Sequence, residues 1–202
     1  FAGQEIGQTL FSDAGEYGRQ LERELVSFCR ANDIYLMGPN SIGVVDTASG
    51  FCTSIGTLPA MKKTGISIFG QSGTFATGFA LEEATARNRG FAKIACMGNK
   101  ADMNECDFLE FLALDPDTRC IGMYIESVSD GARFVKAARL AASEKPVVVL
   151  KAGRSETGAQ AAASHTGALA GTDAIYDAVF RQTGLHRSHD LVEFFNALRG
   201  FD

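Results

Sequence analysis

One of the three histidines of this chain lies in a loop of small residues. His165 follows Ser164 and precedes Thr166 and Gly167, so its immediate neighbours do not shield the imidazole. An imidazole titrates near neutral pH, with a reference pKa of about 6.5, and can act as a base, a metal ligand or a nucleophile. Small neighbours would let it approach a partner surface, including a phosphate. The alternative is an exposed histidine without a chemical role.

A second candidate is the turn made of Gln71, Ser72, Gly73 and Thr74, between an apolar run and a helical pattern. A helix N-terminus presents backbone N–H groups and the positive end of the helix dipole, which favour an anion such as a phosphoryl group. The alternative is an ordinary Ser or Thr N-cap. The turn is not a Walker A loop, because no lysine follows the glycines at the required spacing.

Further polar residues follow apolar runs that we interpret as strands. Glu126 ends one such run, and the alternative to a functional role is a salt bridge to a lysine or arginine. Asn99 and Lys100 follow another run, where the alternative is a solvated turn. The segment 151–154 and the Gly-Pro-Asn turn that contains Asn40 follow two more.

The elements that must position these residues alternate regularly. Apolar runs predict strands at 34–37, 65–69, 91–97, 120–125, 146–150 and 185–187. Amphipathic spacing predicts helices at 15–31, 75–87, 105–114, 131–143, 172–183 and 191–198. This alternation indicates an α/β fold with a flavodoxin-like, doubly wound parallel sheet. Ligands bind beyond the carboxyl ends of such strands, where the candidate residues fall.

The segment 46–63 divides the chain in this interpretation. It is rich in Thr, Ser, Gly and Pro without periodicity, which predicts a linker between two folding units. Residues 1–45 would be the tail of an α/β domain whose earlier part is absent, and residues 64–202 the flavodoxin-like domain. Because the chain does not begin with methionine, we expect it to start inside a longer polypeptide.

Composition narrows the class of partner. The formal net charge of −5 argues against a nucleic-acid-binding surface, and no apolar run is long enough to span a bilayer. The five cysteines lack CxxC spacing, which favours reduced thiols in the cytoplasm over disulfides. They are Cys29, Cys52, Cys96, Cys106 and Cys120. His186 and His189 are three apart, but no carboxylate or cysteine cluster completes a site, so we predict no metal centre.

Several segments, taken in order, resemble one known family. They are Gly38-Pro-Asn-Ser-Ile-Gly43, Gly65-Ile-Ser-Ile-Phe-Gly-Gln-Ser-Gly-Thr74, Gly98-Asn-Lys100, Asp115-Pro-Asp-Thr118, Tyr124-Ile-Glu126, Lys151-Ala-Gly-Arg154 and Ser164-His-Thr-Gly-Ala-Leu-Ala-Gly171. The set is similar to that of the NDP-forming acyl-CoA synthetase superfamily, which includes ADP-forming acetyl-CoA synthetases and the succinyl-CoA synthetase α-subunit. The resemblance covers nearly the whole chain, and the motifs are specific as a set.

The resemblance implies an acid–thiol ligase that interconverts a carboxylic acid, CoA and ATP with acyl-CoA, ADP and phosphate. In the family, a histidine in a swinging loop carries the phosphoryl group between the acyl site and a distant nucleotide site. Here that histidine would be His165, which would form a phosphohistidine. Glu126 would match the carboxylate that orients it.

The resemblance also implies the surrounding site residues. Those expected to hold the phosphoryl group are Gln71, Ser72, Gly73, Thr74, Ser164, Thr166 and Gly167. Those expected near the acyl substrate or CoA are Asn40, Asn99, Lys100 and Arg154. CoA and ATP or ADP with Mg²⁺ would bind largely to parts absent from this chain, namely most of a Rossmann-like CoA-binding domain and an ATP-grasp domain or subunit.

Because those parts are missing, we expect the chain alone to be inactive in the full reaction, and the complete protein to be a homo- or hetero-oligomer. An alternative function is a non-catalytic CoA- or acyl-CoA-sensing domain of a multidomain protein, such as an acetyltransferase fusion. His165 and Glu126 favour catalysis. A response-regulator-like receiver needs an acidic cluster where this chain has Gly70 and Gln71. The sequence specifies neither which carboxylic acid is the substrate nor whether the nucleotide product is ADP or GDP.

Overall fold

The computed structural model describes residues 15–53, 61–85, 89–153 and 173–202. The chain order is α1 (Gly15–Ala31), β1 (Val44–Asp46), β2 (Phe51–Cys52), β3 (Ile66–Gly70), a π-helical segment (Thr74–Phe79) continued by α2 (Ala80–Thr85), β4 (Lys93–Cys96), α3 (Glu105–Leu114), β5 (Cys120–Ile125), α4 (Gly131–Glu144), β6 (Val147–Lys151), α5 (Asp173–Thr183), β7 (His186–Ser188) and α6 (Leu191–Phe201).

The strands of the described residues pair in one sheet, in the order β2-β1-β4-β3-β5-β6-β7. Strands β4, β3, β5, β6 and β7 are parallel, while β1 pairs antiparallel with β2 and β4. Numbered along the chain, the parallel strands stand in the order 2-1-3-4-5, which is the flavodoxin-like order. The predicted flavodoxin-like, doubly wound fold is confirmed.

Helices cover both faces of the sheet, because the central strands are apolar on both sides. Every residue of β3 and of β6 is buried. Phe69, Met123 and Val149 pack on one face against α3, α4 and α5. Ile68 and Val148 pack on the other face against the π-helical segment and α6. Burying each large side chain contributes about 1.5–3 kcal/mol, so the two apolar layers hold the strand ends in fixed positions.

Two local predictions are wrong. Residues 34–37 form no strand, since Leu36 donates its N–H to Asp102 Oδ2 (3.0 Å) and accepts from Met103 N–H (3.1 Å) instead of pairing in the sheet. The segment 46–63 was expected to lack regular structure, yet Asp46 ends β1 and Phe51–Cys52 form β2. These strands are too short to show periodicity in the sequence. The division of the chain into two units stays a prediction.

The five cysteines are free thiols, of which Cys52 is exposed and the other four are buried. Burial raises the pKa of Cys106 to about 12 and that of Cys120 to about 12. Both therefore stay protonated near neutral pH, and a protonated thiol is a poor nucleophile. No helix of the described residues is both long and apolar enough to cross a membrane.

Native protein treated with iodoacetamide at pH 8 should gain one carbamidomethyl group. It should be on Cys52, because this cysteine is exposed and the reagent needs an accessible thiolate. The same treatment in urea should modify all five cysteines, which serves as the control. Intact and peptide mass spectrometry would locate the adducts. Fast native modification of Cys106 or Cys120 would contradict the burial described here.

Candidate functional site

Two candidate residues, Gln71 and Glu126, meet where the order of the parallel strands reverses, between β3 and β5. After β3, the chain forms β4, which pairs with one edge of β3. It then crosses over and forms β5, which pairs with the other edge of β3. The carboxyl ends of the two strands at such a reversal are the usual ligand position in sheets of this kind. Gln71 follows β3, Lys100 follows β4 and Glu126 follows β5. We call this side of the sheet the carboxyl edge.

Gln71 joins the ends of β3 and β5. Its side-chain Oε1 accepts hydrogen bonds from the backbone N–H groups of Glu126 (2.7 Å) and Ser127 (3.0 Å). Its backbone N–H donates to the carbonyl oxygen of Tyr124 (3.3 Å). The amide oxygen of Gln71 thus stabilises the backbone at Glu126, and its predicted contact with a phosphoryl group stays a prediction.

Ser72 caps the helical segment that opens at this edge. Its Oγ accepts from the N–H of Phe75 (3.3 Å), and its carbonyl oxygen accepts from Ala76 N–H (3.1 Å). The N-cap alternative for Ser72 is therefore realised. Thr74 is exposed and begins a π-helical turn, a rare conformation that occurs frequently at functional sites. Anion binding by Ser72, Gly73 and Thr74 stays a prediction.

Glycine lets a neighbouring loop close on this turn. A Cβ atom at Gly73 would lie 3.1 Å from Cγ2 of Ile42, and one at Gly70 would lie 2.8 Å from Cδ1 of Phe75. Both contacts are shorter than ordinary carbon–carbon packing distances. The small residues of the Gly-Gln-Ser-Gly turn therefore serve close packing at the carboxyl edge.

A buried ion pair fixes the loop that carries Glu126, which we call the 126–130 loop. Lys100 Nζ lies 2.8 Å from Glu105 Oε2, with side-chain exposures of 3% and 0%. Lys100 also donates to the carbonyl oxygen of Ser127 (2.8 Å), and Glu105 Oε1 accepts from Ser129 N–H (3.0 Å). The Lys100 side chain is therefore directed at Glu105 and the 126–130 loop, and its predicted place near substrate or CoA stays a prediction.

Glu126 sits on this immobilised backbone. It is half-buried, and its Oε2 atom is buried. Burial, together with the charge of Glu126, raises the pKa of Tyr124 to about 12, and the Tyr124 ring stacks on Phe75 with centroids 4.8 Å apart. A carboxylate held in this way can accept from one nitrogen of an imidazole and leave the other nitrogen nucleophilic.

Two turns that contain predicted substrate residues interlock beyond the end of β4. Asn99 donates its N–H to the carbonyl oxygen of Pro39 (2.9 Å), and Ala101 N–H donates to that of Gly38 (3.0 Å). Asn40 and Gly98 have φ values of 58° and 59°. The structure thus places Asn40 and Asn99 on adjacent turns, while their contact with substrate stays a prediction.

The burial of Lys151 was not predicted from the sequence, which singled out only the segment 151–154 that contains it. Lys151 ends β6 next to β5, in register with Ile125, and is 6% exposed. Its Nζ lies 4.6 Å from the centroid of the Tyr176 ring. Burial lowers the pKa of the Lys151 ammonium, while the charges of Asp173 and Glu126 oppose that shift. A fully apolar strand ending in lysine was the available signal.

Five predicted site residues lie outside the described residues. They are Arg154, Ser164, His165, Thr166 and Gly167. In sequence they lie between Lys151, which ends β6, and Asp173, which begins α5.

The described residues contain no group of three His, Cys, Asp or Glu side chains arranged to hold a metal ion. His186, considered above as a metal ligand with His189, instead contacts the ring of Phe201 edge-on, with centroids 6.3 Å apart.

Comparison with known proteins identifies the fold family. Residues 63–201 match the model of the succinyl-CoA ligase-like flavodoxin domain. The chain belongs to this family. The resemblance to NDP-forming acyl-CoA synthetases inferred from the motifs is thereby confirmed, and the relatives described next agree with it.

The chain as a whole is similar to parts of larger proteins. It is 43% identical over 187 residues to the ADP-forming acetate–CoA ligase I of Archaeoglobus fulgidus, covering 92% of this chain and 27% of that protein. It is 40% identical over 190 residues to subunit alpha of the ADP-forming acetate–CoA ligase I of Pyrococcus furiosus, covering 94% of this chain and 40% of that subunit.

A solved structure shares the fold. It is the dinucleotide-forming acetyl-coenzyme A synthetase 1 of Candidatus Korarchaeum cryptofilum in complex with phosphate and ADP. It superposes with a TM-score of 0.87 at 32% identity, covering 95% of this chain and 41% of that chain. The present chain therefore spans well under half of each of these proteins.

Replacing Lys100 by Met should lower the free energy of unfolding by about 3–5 kcal/mol, because Glu105 would be left as an uncompensated buried charge. Urea unfolding followed by circular dichroism measures this loss. The matched control is Arg19→Met, which removes an exposed i,i+3 pair with Glu16 and should cost less than about 1 kcal/mol. A loss at Lys100 no larger than the control's would refute the structural role of the pair.

Replacing Gly98 by Ala should destabilise the domain by at least about 2 kcal/mol. The left-handed backbone alone costs about 1–3 kcal/mol in a non-glycine residue, and a Cβ would lie 2.2 Å from the carbonyl oxygen of Pro39. Thermal unfolding would show a lower Tm. Gly131→Ala is the control, because a Cβ there meets no atom within 4 Å and alanine favours a helix. Equal Tm values for the two variants would contradict this geometry.

Proposed function

We propose that this domain is the phosphoryl-transfer part of an ADP-forming acyl-CoA ligase. The observation that carries the proposal is that Gln71 and Glu126 lie together at the strand-order reversal of a succinyl-CoA ligase-like fold, with Lys151 at the end of the adjacent strand β6. The names of the similar proteins, acetate–CoA ligases that form ADP, support the same reaction class. Acetate is accordingly the first acid to test.

In the proposed first step, phosphorylated His165 transfers its phosphoryl group to the acid. A carboxylate oxygen of the acid forms a bond to phosphorus while the nitrogen–phosphorus bond breaks, which gives an acyl phosphate and free histidine. Glu126 would accept a hydrogen bond from the other ring nitrogen, which fixes the tautomer and supports the positive charge on the phosphorylated ring. The 126–130 loop supplies the rigid backbone that this role needs.

In the second step, the sulfur of CoA attacks the carbonyl carbon of the acyl phosphate. The carbon–oxygen bond to the phosphate breaks, the thiol proton ends on the released phosphate, and acyl-CoA forms. His165 would then be phosphorylated again by ATP, which leaves as ADP. Helix termini and cations at the carboxyl edge would stabilise the negative charge of the transferred group.

CoA and the nucleotide with Mg²⁺ would bind mainly to other parts of the protein or to a partner subunit. The chain spans 40% of one of the two relatives and 27% of the other, and the former is named as an alpha subunit. We infer that a nucleotide-binding domain or subunit of the ATP-grasp type completes the enzyme, in a homo- or hetero-oligomer located in the cytoplasm. A CoA-sensing role would not need a phosphoryl carrier.

The full-length protein should become labelled by γ-³²P-ATP on His165, and the label should be acid-labile and stable to base. His165→Ala should abolish the label, and Glu126→Gln should slow labelling about 100-fold, because the amide cannot support the charged imidazole. His186→Ala is the matched control, since this exposed imidazole lies beside Phe201. Acid-stable label, or label undiminished in His165→Ala, would contradict the proposed function.

A further inference from the structure

Lys151 differs from the other buried cations near the carboxyl edge. Lys100 pairs with Glu105, and Arg187 pairs with Asp173 and Asp177. Among the residues that the structure describes, no carboxylate lies within salt-bridge distance of Lys151 Nζ, whose hydrogen bond goes to the carbonyl oxygen of Ala152. Lys151 therefore carries a buried positive charge without a direct anionic partner in this part of the protein.

Burial of such a charge is unfavourable. Removing an ammonium group from water costs several kcal/mol unless an anion compensates it. Asp173 and Glu126 attract the Lys151 charge only from beyond salt-bridge distance, while Arg187 and Lys100 repel it. The Tyr176 ring provides a partial compensation through its electron-rich face, at 4.6 Å. An anionic ligand would compensate the charge more fully.

The position of Lys151 fits an anion that is handled beside Glu126. Ile125, its register partner on β5, directly precedes Glu126, and neighbouring strands lie about 4.8 Å apart. Tyr176, which lies under the ammonium, and Val128 of the 126–130 loop pack against the same hydrophobic cluster. The lysine is thus held between that loop and the first turns of α5.

We propose that Lys151 Nζ binds the oxygens of the phosphoryl group that is transferred at the carboxyl edge. This inference rests on the proposed function, since that reaction brings a phosphoryl dianion to Glu126, whose own negative charge opposes it. An ammonium has three donors, and the hydrogen bond to Ala152 uses one of them. The shared chemistry is a tetrahedral phosphoryl group, whether free phosphate, acyl phosphate or phosphohistidine.

The first test is the affinity of the full-length protein for inorganic phosphate, measured by isothermal titration calorimetry. Lys151→Met should weaken binding roughly 10- to 100-fold, the value of one hydrogen bond to a charged group. Lys151→Arg, which keeps the charge, should recover part of the affinity. The matched control is Lys136→Met, because Lys136 is an exposed lysine on α4. If Lys151→Met does not fold, Lys151→Gln replaces it with the same expectation.

The second test is labelling of the same variants by γ-³²P-ATP. It shows whether Lys151 binds the phosphoryl group during transfer or only free phosphate. Slower labelling of His165 in Lys151→Met, partly restored in Lys151→Arg, would support the inference. Wild-type labelling and phosphate affinity in Lys151→Met would overturn it and leave the proposed function intact. Phosphate binding that depends on Lys151, without label on His165, would support the anion site and refute the phosphohistidine reaction.

Discussion

The structure depends on satisfying the backbone polar groups of the 126–130 loop at the point where the strand order reverses. Backbone N–H groups in this loop cannot pair within the sheet, because β5 has ended. Gln71 accepts from two of them, and Glu105 accepts from that of Ser129. Leaving one buried donor unpaired would cost about 1–3 kcal/mol, so these side chains decide where Glu126 stands.

The buried ion pair of Lys100 and Glu105 positions the 126–130 loop more than it stabilises the folded domain. The desolvation of two buried charges offsets most of their attraction, so the ion pair by itself adds little net stability. Each partner, however, has a second hydrogen bond to the 126–130 loop, which an apolar pair could not make. A carboxylate that is to orient an imidazole, as proposed for Glu126, must be held with little freedom of movement. This requirement accounts for a charged pair in the interior that also bonds the loop carrying Glu126.

Much of the fold could be predicted because the central strands are uniformly apolar. Such strands indicate a parallel sheet covered on both faces, whereas a sheet with one solvated face has alternating apolar and polar residues. Strands β1 and β2 could not be predicted, since they have three and two residues and owe their conformation to the pairing of β1 with β4 and of β2 with β1. The roles of single polar residues also escaped the sequence. A lysine after a strand indicates a solvated turn, and only the tertiary partners of Lys100 and the burial of Lys151 reveal their environments.

Two lysines at opposite ends of parallel strands illustrate how charge is distributed in this domain. Lys93 begins β4, and its Nζ lies 3.1 Å from Asp115, 3.5 Å from Asp46 and 3.7 Å from Asp117. Burial alone would lower the pKa of Lys93, but these aspartates raise it. At the carboxyl edge, burial prevails and lowers the pKa of Lys151. Among the described residues, Lys93 at the amino edge is thus matched by three aspartates, while Lys151 at the carboxyl edge has no carboxylate within salt-bridge distance, as in binding sites where charge compensation awaits a ligand.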